Sequence, residues 1–159
     1  MIRACTAADA AAIAEVYNHY VHETVVTFEE TPVSAAEMAQ RISEVGARFP
    51  WLVWDDGAVV GWAYATPWKT RSAYRFSVET TVYLATSHQG RGIGASLYRA
   101  LIDELRARDV HSAVGGIALP NPASVALHEK LGFRKVAQFA EVGRKFDRWV
   151  DVGYWQLIL

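Results

Sequence analysis

Val82-Tyr83-Leu84-Ala85-Thr86-Ser87-His88-Gln89-Gly90-Arg91-Gly92-Ile93-Gly94-Ala95 decides how this sequence folds: an apolar strand enters a glycine-rich turn and passes directly into a helix. Gly90, Gly92 and Gly94 remove side chains where the first backbone N–H groups of a helix have no intrahelical partner. Such bare donors, reinforced by the positive end of the helix dipole, suit a phosphate, so the stretch reads as a pyrophosphate site. No Lys-Ser or Lys-Thr follows the glycines, which excludes a P-loop. Gly90, Gly92 and Ala95 satisfy G-x-G-x-x-A, but a dinucleotide fingerprint joins the first strand of a βαβ unit to its helix by a tight turn. Here Ala85 to Gln89 intervene and half the chain has already passed. A strand-to-helix connection that holds no ligand stays open beside the pyrophosphate site.

A chain of 159 residues fits one domain with a real core, taken as residues 1–159. The net charge of −1 offers no electrostatic footprint for nucleic acid or an anionic membrane, which leaves a small-molecule protein as the default. The only cysteine, Cys5, cannot form an internal disulfide, in keeping with a reducing compartment. It sits in an apolar first strand and reads as a small core residue rather than a thiol nucleophile. The N-terminus lacks the uninterrupted apolar region of a secretion signal, and no apolar run approaches the ~20 residues that span a bilayer. The expected location is the cytoplasm.

Working outward, Ile2 to Cys5 reads as a strand, and Thr6 or Asp9 caps a helix to about Tyr20 with Ile13, Val16, Tyr17 and Tyr20 on one face. His19 and His22 near its end lack a Glu or Cys at metal-ligand spacing, so no metal is expected. Ser34-Ala35-Ala36-Glu37 is a capping-box pattern that opens a second helix to about Arg48. Trp51 to Trp54 and Val59 to Ala65 flank an Asp56-Gly57 turn as a hairpin, and a further strand begins near Ser77. The helix after the glycine turn carries Ile93, Leu97, Leu101 and Leu105 on one line. A strand from Ala113 to Leu119 precedes Asn121-Pro122, an asparagine cap with proline at the first helical position. That short helix ends at Gly132, and strands follow at Arg134 to Ala140 and Val150 to Ile158. The order βααβββαβαββ predicts layered α/β packing.

Gln89-Gly90-Arg91-Gly92-Ile93-Gly94 resembles the Q/R-x-x-G-x-G/A signature of the GCN5-related N-acetyltransferases (GNAT), where it binds the pyrophosphate of acetyl-CoA. Trp68 to Arg75, Glu79 to Tyr83, Leu119-Pro120-Asn121, Leu127 to Phe133 and Asp151 to Leu157 resemble the phosphinothricin acetyltransferase subfamily in particular. The resemblance implies a single-domain GNAT fold, a mixed central β-sheet with helices on both faces, and acetyl-CoA as co-substrate. It implies acetylation, by direct transfer in a ternary complex, of the free amino group of a small anionic amino-acid-like compound of the phosphinothricin, methionine sulfone or methionine sulfoximine type, and a homodimer for which Phe146 to Trp149 is a candidate contact.

On the cofactor side, the resemblance assigns the backbone of Val82, Tyr83 and Leu84 to the pantetheine arm and Gln89 to Ala95 to the pyrophosphate, with Asn121 and Ser124 at the start of the following helix. It supports Glu79 as the base that takes the ammonium proton, directly or through water; a carboxylate that only anchors the amine is the alternative. His128 stands where the wider superfamily commonly has a tyrosine that protonates the departing thiolate, and catalytic and structural roles are both open to it. The loop from Thr24 to Pro32 is placed over the acceptor, with Phe28 as a wall and Glu29 as a polar contact. Lys69, Arg71 and Arg75 crowd one short linker; either they form a solvated loop or they bind the acceptor's anionic group, Arg75 first. Two other functions fit the same residues: acetylation of a peptide or protein terminus, and a non-catalytic acyl-CoA sensor.

Overall fold

The computed structural model describes residues 1–159. In chain order the elements are β1 (Ile2–Ala4), α1 (Ala10–Glu23), α2 (Ala35–Gly46), β2 (Trp51–Asp55), β3 (Val59–Pro67), β4 (Ser77–Leu84), α3 (Ile93–Arg106), β5 (Ser112–Ala118), α4 (Pro122–Lys130), β6 (Arg134–Lys145) and β7 (Arg148–Ile158). The strands form one sheet in the order β1-β2-β3-β4-β5-β7-β6. Only the β4–β5 pair at its centre is parallel.

Apolar periodicity decides which face each helix covers. Ile13, Tyr17 and Tyr20 of α1 and Met38 and Ile42 of α2 pack with Trp51, Val53, Trp62 and Tyr83 on one face of the sheet. Leu97, Leu101 and Leu105 of α3 pack with Ala63, Val78, Ala113 and Trp155 on the other. The two-residue alternation of β4 therefore sends Val78 to the α3 side and Tyr83 to the α1–α2 side. Ser34 caps α2 by accepting from the Glu37 N–H at 3.1 Å.

The final hairpin is longer than the sequence suggests. β6 continues to Lys145 and β7 begins at Arg148, so residues 141–149, left between strands by their pattern, are mostly paired. The turn is Phe146-Asp147 with both residues in the left-handed region, φ 52° and 58°. That geometry is the two-residue hairpin turn usually signalled by Asn-Gly or Asp-Gly, and neither pair is present. A register break between Phe139 and Gly143 also disrupts the alternation, with Glu141 at φ 51° and its N–H donated to Asp151.

Candidate active site

The site is created by two strands that part. β4 and β5 pair only at Ser77–Ser112, Val78–Ala113 and Glu79–Val114, after which their facing backbones diverge. At the point of divergence a buried polar chain ties β4, α3 and α4 together. Thr80 Oγ1 lies 2.5 Å from the Tyr98 hydroxyl, that hydroxyl lies 3.0 Å from His128 Nε2, and His128 Nδ1 lies 2.7 Å from the Ser124 carbonyl. The carbonyl requires Nδ1 to carry a proton, and burial lowers the His128 pKa below its ordinary value, which favours the neutral ring with Nε2 accepting from the Tyr98 hydroxyl.

Gly115 makes room for this ring: a Cβ there would lie 2.4 Å from His128 Nε2. Gly115→Ala is expected to cost about 1–3 kcal/mol through overpacking, lowering Tm by roughly 2–4 °C per kcal/mol for a chain of this size. Thermal denaturation checks it, and an unchanged Tm would mean that the ring shifts freely.

Beyond the fork opens a cleft of ≈ 650 Å³. Val82, Tyr83 and Leu84 of β4 line it, the glycine turn contributes Gln89, Gly90 and Gly92, the start of α3 contributes Gly94 and Ala95, and Asn121 before α4 joins Ser124 and Leu127 within it. Gly90 and Gly92 have φ of 75° and 77°, and a Cβ at either would meet nothing within 4 Å. The left-handed backbone explains the glycines, and the open space leaves the N-terminus of α3 accessible. Arg91 is exposed on the turn, whereas the Ile93 side chain is buried beneath it. Asn121 is an α4 cap, accepting from the Ser124 N–H at 3.1 Å.

Several cleft residues were not legible as such: His19, Tyr20, Thr24, Val26, Thr86 and Lys130. Tyr20 reads as core by periodicity and is mostly buried, yet its hydroxyl donates to the Leu84 carbonyl and accepts from Gln89 Nε2 at 3.0 Å. It thereby joins the end of α1 to the end of β4 and to the glycine turn. Lys130 ends α4 within the Leu127 to Phe133 motif, and its charge there was the available signal.

Glu79 faces away from Thr80, on the α1–α2 side of the fork, and is half-buried. Burial raises its carboxyl above the usual range, while the Lys69 ammonium pulls it down. A Cβ at Gly116 would sit 3.4 Å from Glu79 Oε1 and 3.2 Å from the Tyr154 ring. The bare glycine therefore leaves an opening between carboxylate and phenol. Trp68 meets Tyr154 edge-on at 5.6 Å, and Lys69 Nζ lies 4.9 Å from the Trp68 ring.

Arg75 lies over Phe76 at 4.3 Å and donates to the Ser72 carbonyl at 3.1 Å. None of Lys69, Arg71 and Arg75 has a carboxylate within 4.0 Å, so none is held in an ion pair. Glu29 is committed elsewhere: Arg41 grips both its oxygens at 2.9 and 2.6 Å, and the Tyr17 hydroxyl donates to it. The Arg41 guanidinium holds the Glu29 carboxyl below its ordinary range. Phe28 lies over Gly143, whose Cβ position would be 2.2 Å from the ring.

Cys5 is half-buried just after β1, and burial pushes its thiol up to about 12, which disfavours the thiolate that nucleophilic catalysis needs. His19 and His22 are exposed, and no group of three His, Cys, Asp or Glu side chains is arranged to hold a metal ion. No helix is long and apolar enough to cross a membrane.

Residues 2–153 match the acetyltransferase (GNAT) domain family, and the chain belongs to that family of acetyltransferases. Among its relatives, phosphinothricin N-acetyltransferase of Streptomyces viridochromogenes is 42% identical over 98% of this chain and 85% of that protein. L-methionine sulfoximine/L-methionine sulfone acetyltransferase of Salmonella typhimurium is 40% identical over 99% of this chain and 94% of that protein. The crystal structure of a phosphinothricin acetyltransferase from Sinorhizobium meliloti in complex with acetyl-CoA superposes with a TM-score of 0.96 at 38% identity, covering 100% of this chain and 88% of that one.

Proposed function

We propose that the protein, with residues 1–159 as one catalytic domain, transfers the acetyl group of acetyl-CoA to the free amine of a small anionic amino-acid-like compound. Phosphinothricin, methionine sulfone and methionine sulfoximine are the acceptor types favoured by the relatives' names. The observation that carries this is the fork, which sets a cofactor-sized cleft on one side of Glu79 and an opening at Gly116 on the other.

Acetyl-CoA suits the cleft in volume and chemistry. The N–H groups at the start of α3, bared by Gly90 and Gly92, would hold the pyrophosphate, and the unpaired edge of β4 from Val82 to Leu84 would receive the pantetheine amides. When bound, it supplies an activated thioester. Glu79 takes the proton that the acceptor ammonium must lose before it can attack, directly or through water. Lys69, Arg71 and Arg75 supply positive charge for the acceptor's acidic group, with guanidinium able to pair bidentately. Phe28 walls the acceptor side, and Glu29 holds its loop in place through Arg41. His128, neutral and hydrogen-bonded at both nitrogens, is assigned to holding α4 and the fork rather than to donating a proton.

The pH dependence follows from Glu79. Its base form is lost as pH falls through its raised pKa, so the acid limb of kcat/KM lies above the ordinary glutamate range of about 4.3. Lys69 favours the ionised form, so Lys69→Met moves that limb to higher pH. A limb that stays put in the pH–rate profile of Lys69→Met would separate Lys69 from the base.

The outer face of the last hairpin leaves Val136, Phe139, Val142, Phe146 and Trp149 exposed. This apolar surface supports a homodimer. The net charge of −1 supports a small molecule over nucleic acid as partner, the lone cysteine supports a cytoplasmic location, and the chemistry needs no metal. Thiol release from acetyl-CoA, assayed separately with phosphinothricin, methionine sulfone, methionine sulfoximine, ordinary amino acids and a short peptide, tests the function. Release with the first three alone is expected. Release with the peptide alone would favour terminal acetylation, and silence with retained acetyl-CoA binding would favour a sensor.

A further inference from the structure

Lys145 is 2% exposed at the end of β6, yet no carboxylate lies within 4.0 Å of it. Its ammonium is aimed at main chain: Nζ donates to the Thr27 carbonyl at 2.8 Å and approaches the Tyr20 carbonyl, in the last turn of α1, at 3.5 Å. A cation there is favoured by the negative end of the helix dipole. Beside it, the Phe28 ring occupies the space over Gly143 that a side chain on β6 would otherwise take. Thr27 is itself buried, its hydroxyl 2.8 Å from that of Tyr17. The hairpin tip thus grips two consecutive loop residues, one by its carbonyl and one by its ring.

The gripped loop borders both halves of the site. Thr24 and Val26 line the cleft, and Glu29, held by Tyr17 and Arg41, lies on the same α1–α2 side of the sheet as Glu79. A buried lysine is costly unless its donors are used, and this one is used on a loop remote in sequence.

We propose that Lys145 is a positioning residue for the acceptor: it fastens residues 24–33 to the last hairpin and so fixes the wall against which the acceptor binds. This rests on the acetyl-transfer reading above. It adds a residue that touches neither substrate and acts through the loop it holds.

The test compares Lys145→Met, Lys145→Arg and Gly143→Ala with the unaltered protein, measuring acceptor KM and kcat at saturating acetyl-CoA, acetyl-CoA Kd, and Tm. Lys145→Met is expected to raise acceptor KM by about tenfold with kcat changed by less than about twofold, the signature of lost acceptor binding, and to raise acetyl-CoA Kd by a smaller factor because Thr24 and Val26 line the cleft. Lys145→Arg, which keeps the donors, restores part of that loss. Gly143→Ala displaces the Phe28 ring without touching the lysine and raises acceptor KM in the same direction. If Lys145→Met does not fold, Lys145→Arg decides the matter by whether acceptor KM moves apart from Tm. A lower Tm with unchanged acceptor KM in the variants would overturn the proposal and leave Lys145 merely structural. A parallel loss of acetyl-CoA affinity would overturn it too. Absence of turnover with any small amine in the unaltered protein would instead defeat the acetyl-transfer reading on which it rests.

Discussion

Glu79→Gln is expected to lower kcat by about 10²–10⁴-fold, the range that a placed general base contributes, while acetyl-CoA Kd and Tm stay close to those of the unaltered protein. The amide keeps the size and the hydrogen-bonding reach of the carboxylate but cannot hold the ammonium proton. Because Glu79 is half-buried and its carboxyl is already raised by that burial, removing its charge relieves a desolvation cost and leaves no partner stranded. Stability therefore holds or improves slightly, which separates this effect from misfolding. The remaining rate should lose the acid limb of the pH profile. Stopped-flow or steady-state thiol release gives kcat, and full turnover by the Glu79→Gln variant would leave the base unassigned.

The second large effect is expected in binding. Gly92→Val puts a β-branched side chain at φ 77°, a conformation that costs L-residues about 1–2 kcal/mol, and puts its methyl groups in the open space before α3. Acetyl-CoA affinity should fall about 100-fold, or roughly 2.7 kcal/mol. Gly57→Val is the control: its φ is 86° and its Cβ also meets nothing, but it lies in the β2–β3 turn. Both variants lose Tm by a similar amount, and only the first loses acetyl-CoA in calorimetry. Equal affinity in the two would remove the glycine turn from the cofactor site.

The fold was largely legible because this chain punctuates itself in ways that follow from backbone chemistry. Ser34 and Asn121 both cap helices through their side chains, Gly57 marks the first hairpin, and the line from Ile93 to Leu105 faces the sheet as its spacing requires. The last hairpin was not legible in length, because Phe146 and Asp147 adopt the turn geometry without the usual glycine and the break near Phe139 scrambles the two-residue alternation. The glycine turn announces itself by residue type and position.

Partnerships made across the chain carry no local signal. The grip of Arg41 on Glu29, the neutral His128 locked between Tyr98 and Ser124, the double role of Tyr20 and the burial of Lys145 each join residues far apart in sequence or on different elements. From residue type alone, Glu29 and His128 look like site chemistry, and Lys145 looks like solvent-exposed charge. Packing buries Lys145 against the Thr27 carbonyl, and for Glu29 and His128 it supplies structural partners that the sequence could not announce.

Direct transfer is the central claim, and Cys5 is the only cysteine that could carry an acetyl group between the two substrates. The most direct measurement is initial-rate thiol release with acetyl-CoA and methionine sulfone varied together. Both substrates must be bound when the Glu79-assisted amine attacks, so the double-reciprocal lines should intersect, and Cys5→Ala should not change them. Parallel lines, the fingerprint of a covalent acyl-enzyme, would contradict the account.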